Sequence, residues 1–261
     1  MATVFPLADI LRQIGGDRVA VHTLLPAGAN PHTFEPTPEQ LRLIGEAALV
    51  VRVGAGLDEW TDGLLRARST PPCVFTAVDG VALLGPADSK HGDPHVWLDP
   101  ILVRDEIVPR LVRALSEVDA AGQGDFERGG AAFAAQLTQL DRDISVGLLS
   151  LTQRGFVAVH PAWRYFARRY GLDEIAVVED SPGKEPSAQT IAAIVRRARA
   201  QHARVVLTEP QLSRRMADVL AEEIGASVVT VDPLGGPAVA GRDSYLALMR
   251  YNLHAFEQAL R

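Results

Sequence analysis

A single cysteine, Cys73, stands in 261 residues. One thiol cannot close an internal disulfide, and it offers no paired thiolates to a metal, so both frameworks are excluded. In "PPCVFTAV" it reads as a small apolar residue of a core strand. Lysine is nearly as scarce. Only Lys90 and Lys184 stand among the 26 basic residues, a matter of coding bias and not of function. Positive charge is in deficit overall, with a formal net charge of -6. Without a basic excess or stripe, the chain reads as binding no nucleic acid. No apolar run approaches the ~20 residues of a membrane-spanning helix. "MATVFPLADI" has neither the basic start nor the long apolar run of a signal peptide. What is present is ordinary globular composition, 47% hydrophobic and 22% charged. That suffices for one large core or two smaller ones.

Short β-branched runs alternate with amphipathic segments, the pattern of an α/β protein with mostly parallel strands. In the first part, strands are expected at 19–25, 49–54 and 73–78. Thr37, Pro38 and Gln40 spell an N-cap, N1 and N3, so a helix should start there. A second helix is expected in "DEWTDGLLRA". Asp99 and Pro100 again look like cap and N1, and Pro109 should break or kink the helix that follows. Phe126, Phe133, Leu137, Leu140, Ile144 and Leu148 keep helical spacing, which predicts one long helix over about 122–150. The second half resumes the alternation, with strands at 155–160, 174–179, 203–209 and 227–232 and helices between and after them. The expected organisation is an N-terminal lobe over 1–120, a linking long helix over 121–150 and a C-terminal lobe over 151–261. Each lobe would be a small open sheet covered by helices, with a cleft between them.

Three histidines stand in related settings: "NPHTFEP" (His32), "DPHVWLDP" (His95) and "VHPAW" (His160). In open α/β sheets, ligands bind outside the carboxyl ends of strands. His160 and Asp232 each end a predicted strand. His32 and His95 lie in loops that lead into helices. Three imidazoles and a carboxylate suit Zn²⁺, which takes nitrogen at ~2.0–2.1 Å and carboxylate oxygen at ~2.0–2.2 Å. Pro31, Pro94 and Pro161 would restrict the backbone beside the histidines. Phe34, Trp97 and Trp163 would wall the site from water. Taken singly, a histidine after a strand is more often a structural or exposed residue, and Asp232 before Pro233 reads equally as a turn former. Glu209, in "LTEPQ", is an alternate ligand, a partner supporting a histidine, or a helix cap; support is the favoured role. Glu35 reads as a loop or cap residue. His22, His202 and His254 are assigned to structure or surface; His91, four residues before His95, is read as solvent-exposed, with passing metal inward as the alternative.

These fragments carry a resemblance. "LLPAGANPHTFEPTPEQL", "DPHVWLDP", "VAVHPAWRYFARRYGL", "LTEPQLSRRMADVLAEEIGASVVTVDPLGG" and "YLALMRYNL" follow one another across nearly the whole chain. Together they resemble the zinc/manganese-binding ZnuA/TroA-like receptors of bacterial ABC importers. The resemblance implies two α/β lobes joined by one long rigid helix, with a metal buried between them. The family's ligand positions fall on His32, His95, His160 and Asp232. Three histidines and one aspartate point to Zn²⁺, with Mn²⁺ the alternative, since a second carboxylate would harden the site. The implied partners are the membrane permease of an ABC importer and, as a further candidate, a metallochaperone; the receptor would be a monomer. The implied location is extracytoplasmic, periplasmic or lipid-anchored, with the signal segment removed.

Two features depart from the family pattern. The His- and Asp-rich loop of many zinc members is here the short "PADSKHGD", and the disulfide found in some members is forbidden by the single cysteine. A site closed by four protein ligands leaves no open position for a substrate, which speaks against an enzyme. The competing readings are a metal-dependent hydrolase, with Glu209 as general base, and a surface adhesin on the same fold.

Overall fold

The computed structural model describes residues 1–66, 72–85, 91–179 and 186–261. The chain begins with a helix that is not among the predicted elements. Helix α1 (Phe5–Gly15) has Val4 at its N-cap, with no side-chain capping bond. Its start therefore carries no polar marker. Its Phe5, Leu7, Ile10, Leu11 and Ile14 are buried. Their burial, worth about 1.5–3 kcal/mol for each large side chain, holds the helix in place of a cap.

The expected strand over 19–25 does not form. Thr23 makes only an isolated parallel bridge to Ala2, which also bridges Val51. Leu24 and Leu25 donate to the carbonyls of Ala2 and Thr3. The neighbour they would need turns into α1 at Phe5, so the ladder has no length to grow. Helix α2 (Pro38–Glu46) starts as expected, with Thr37 and Gln40 in a reciprocal capping box. The Gln40 amide also donates to the Leu24 carbonyl at 2.7 Å, tying this helix to the segment before it. Strand β1 (Leu49–Arg52), helix α3 (Trp60–Arg66) and strand β2 (Cys73–Thr76) complete this part. β1 and β2 pair in parallel. Cys73 is half-buried in β2 and packs against the core.

Asp99 caps a short helix α4 (Pro100–Leu102) through the amides of Ile101 and Leu102. A π turn (Val103–Ile107) then leads into α5 (Val108–Val118), with Pro109 in its first turn. Proline lacks an N–H and crowds the preceding turn, so the irregularity falls just before it. The long helix α6 (Gln123–Gly147) has 25 residues and is flanked by 3₁₀ turns at Ala120–Gly122 and Leu148–Ser150. It packs against α1 and α5.

Strand β3 (Gly155–Ala158), helix α7 (Arg164–Tyr170), strand β4 (Asp173–Val177), helix α8 (Ala188–Ala200), strand β5 (Val205–Thr208), helix α9 (Arg214–Ile224), strand β6 (Ser227–Thr230) and helix α10 (Tyr245–Leu260) follow. Their sheet is parallel throughout, in the order β4-β3-β5-β6. The chain winds outward from β3 to β4, then returns to the other side of β3 for β5. The β3/β5 boundary is therefore the switch point where such sheets open a crevice at their carboxyl ends.

One apolar cluster runs from Leu7 and Trp97 through Phe133 to Trp163 and Phe256. Polar bonds reinforce it between distant segments. The Trp97 indole donates to the Pro233 carbonyl at 2.7 Å. The Tyr245 hydroxyl donates to the Trp97 carbonyl at 2.7 Å. Arg169 on α7 pairs with Asp99 at 3.0 Å. No helix among the described residues is long and apolar enough to cross a membrane. Residues 86–90 of the short "PADSKHGD" segment, with Lys90, lie outside the described residues, as do Ala67 at the end of the predicted second helix and Lys184.

Candidate metal centre

Each histidine of the candidate site is positioned by local chemistry. Asn30 accepts from the backbone amide of His32 at 3.0 Å, an Asx turn that presents the half-buried ring. His95 precedes the 3₁₀ turn Val96–Leu98. One Asp93 oxygen accepts from its backbone amide at 2.9 Å and faces its Nδ1 at 2.8 Å. His160 follows β3, and Glu209 follows β5 beside it. Glu209 faces His160 Nδ1 at 3.2 Å and accepts from the Trp163 indole at 3.1 Å. His95, His160, Asp93 and Glu209 are all buried.

With Nδ1 of His95 and His160 held by carboxylates, each ring turns Nε2 the other way. His160 Nε2 lies 3.1 Å from His32 Nε2. Two nitrogens of a tetrahedral zinc site, at ~2.0–2.1 Å from the metal, stand about 3.3 Å apart. Ligand atoms of His32, His95 and His160 all lie within 4.8 Å of one another, and these three form the group with metal-holding geometry among the described residues. They share a small cavity with Trp97, Glu209 and Gln211.

The environment keeps two imidazoles neutral. Burial, then the neighbouring His95 and His160, pushes His32 down to about 2. Burial also drives His95 well below its ordinary value, with His160 adding to the effect. His160 goes the other way. Burial pulls it down, but the charge and hydrogen bond of Glu209, with Asp93 and Glu179, outweigh that and raise it. Burial raises Asp93 to about 7.

Asp232 does not join the convergent histidines. Its Oδ1 accepts from Gln211 Nε2 at 3.0 Å and from the amides of Leu234 and Gly235 at 3.0 and 3.1 Å. Its Oδ2 pairs with Arg242 at 2.7 Å. The carboxylate is engaged by its own turn, by Gln211 and by Arg242. Phe34, expected to wall the site, packs edge-on against Trp60. Trp97 lines the cavity, and Trp163 reaches it through Glu209. His22, His91, His202 and His254 are exposed, as is Glu35. Sequence reasoning missed Asp93, Gln211 and Arg242. The signal for Asp93 is present in "DPH", since a carboxylate two residues before a histidine reaches both its amide and its ring. Gln211 stands two residues after Glu209, in a turn whose direction only the sheet determines.

The chain is similar to known proteins of zinc uptake and zinc binding. The family profile described as zinc-uptake complex component A, periplasmic (ZnuA), matches residues 1–259. The high-affinity zinc uptake system protein ZnuA of Bacillus subtilis is 28% identical over 277 residues, covering 100% of this chain and 86% of that protein. The zinc-binding lipoprotein AdcA of Streptococcus pneumoniae is 29% identical; 99% of this chain aligns, spanning only 55% of that relative. A crystal structure of a ZnuA superposes with a TM-score of 0.88 at 32% identity, covering 100% of this chain and 98% of the other.

Proposed function

The chain belongs to the ZnuA family of periplasmic zinc-uptake components, and from that premise we propose that it is an extracytoplasmic receptor that captures Zn²⁺ and hands it to the membrane permease of an ABC importer. The family is one of metal-binding transport receptors and not of enzymes, so no hydrolytic role is assigned. The observation that carries the reading is the convergence of three imidazoles on one small cavity. His32, His95 and His160 are the proposed ligands, and Glu209 supports His160. Three imidazole nitrogens favour Zn²⁺ over the harder Mn²⁺. One chain supplies the whole trio, so a monomer is sufficient. Relatives described as periplasmic or as lipoproteins support placement outside the cytoplasm, free or lipid-anchored.

The proposed division into lobes at 1–120 and 151–261, joined by 121–150, draws support from the sheets, each built wholly from one side of α6. At 25 residues, α6 is a rod of about 37 Å. Bonds such as Trp97 to Pro233 and Arg169 to Asp99 hold the two sides together. Release therefore proceeds through small tilts and loop shifts, not through a wide hinge.

Equilibrium dialysis of chelator-stripped protein, followed by metal analysis, tests the reading. One zinc per chain in the parent, retained against excess manganese and lost in His95→Ala, is the expected result. Retention of manganese in preference to zinc would reverse the metal assignment. Retention of neither would leave the receptor reading without its cargo.

A further inference from the structure

Asp232 is spoken for, yet three histidines leave a zinc ion one donor short of the four it almost always takes. Gln211 lies in the turn between β5 and α9 and lines the cavity that holds the three histidines. Its Nε2 donates to Asp232 Oδ1 at 3.0 Å. The orientation of the amide is fixed by chemistry. Asp232 Oδ1 already accepts from two backbone amides, so the end of Gln211 facing it must be the NH₂. The oxygen is thereby turned to the opposite end. Gln211 Oε1 is buried there without a hydrogen-bond partner. A buried amide oxygen without a donor is an unfavourable arrangement unless something electropositive completes it.

We propose that Gln211 Oε1 is the fourth donor to the zinc held by His32, His95 and His160, and that Asp232 and Arg242 are positioning residues behind it. This rests on the receptor reading above. Arg242 holds Asp232 Oδ2 at 2.7 Å while its guanidinium stacks 4.6 Å over the Tyr251 ring. Asp232 in turn holds the amide of Gln211. The relay withholds the carboxylate from the metal and offers a neutral oxygen instead. The donor set is then three nitrogens and one uncharged oxygen, softer than one with a carboxylate, and it disfavours Mn²⁺.

The test uses the full chain, stripped with chelator and titrated with Zn²⁺ and Mn²⁺ against a chromophoric competitor. The visible spectrum of the Co²⁺ form reports the coordination, and melting of the metal-free form reports the fold. Gln211→Leu is expected to weaken zinc about ten- to a hundredfold, on the scale of groups that complete a metal shell, and to change the cobalt bands. Asp232→Ala is expected to weaken it less, because the glutamine oxygen remains. Gln211→Glu serves if the leucine variant fails to fold; it offers a carboxylate in place of the amide oxygen but loses the donation to Asp232, so its zinc affinity should fall while its preference shifts from Zn²⁺ towards Mn²⁺. Zinc affinity and cobalt bands unchanged in Gln211→Leu would overturn the proposal and leave the receptor reading intact. So would a larger loss in Asp232→Ala than in Gln211→Leu, or an unchanged metal preference in Gln211→Glu. A parent chain that binds no zinc would overturn both.

Discussion

His160 and His95 sit on opposite sides of the long helix in the chain, yet the two are held alike, and His32 is held differently. His160 leaves β3 at the switch point of the four-stranded sheet and meets Glu209 from β5. His95 leaves a tight turn and meets Asp93 from the same turn. In both, a buried carboxylate fixes which nitrogen faces the cavity, the arrangement that orients metal-binding imidazoles and raises their basicity. His32 comes from a loop, is only half-buried, and is turned by Asn30 through its backbone. Sheet and turn thus build two oriented donors, and a loop laid across them brings the third.

The comparison can be broken first at the rings. His95→Ala and His32→Ala each remove one of three nitrogens. Competition titration should show zinc weakened by more than the ~10–100-fold typical of outer partners. A variant that keeps parental affinity would take its histidine out of the site. It is sharpened next at the carboxylates. Glu209→Gln and Asp93→Asn should each cost about 10–100-fold, while Asn30→Ala, beside the ring without a carboxylate, should cost less. Equal losses in all three would erase the distinction between the two settings.

Acid probes the same contrast more gently. The raised value of His160 means that it binds a proton at higher pH than an ordinary histidine. In the metal-free protein its contribution to stability is present below the ordinary 6.5 and is lost as pH rises through its folded value. Zinc must displace that proton. Affinity should therefore fall as pH drops through this range, by up to about tenfold per unit for one competing proton. His32 and His95, pushed down, add no competing proton there. Glu209→Gln should move the onset to lower pH, and calorimetry in buffers of different ionisation enthalpy should register less proton release. An unchanged onset would deny Glu209 its hold on His160. The smallest effect belongs to His91, exposed and 3.5 Å from Glu59. His91→Ala should leave zinc affinity within about twofold, as expected of a surface change away from the site.

Features written in neighbouring residues were legible in the sequence. Thr37, Pro38 and Gln40 form their cap from a local code, as do Asp99 and Pro100. The three histidines announced themselves through repeated settings at strand ends and loops. Features decided by distant partners were not legible. Residues 19–25 have strand composition, but a strand needs a neighbour, and α1 removes it. Helix α1 itself is held by burial without a cap. Asp232 carries the right chemistry for a ligand, but Arg242, reaching back from ten residues on, engages one of its oxygens. Phe34 found Trp60 instead of the site. Gln211 matters only because Asp232 is already taken, a dependence that no local pattern contains.

The most direct test is diffraction from crystals grown with one equivalent of zinc, collected on both sides of the zinc absorption edge. The account predicts one anomalous peak within ~2.0–2.1 Å of Nε2 of His32, His95 and His160. A peak elsewhere, or one bound by fewer than three of these nitrogens, would contradict it.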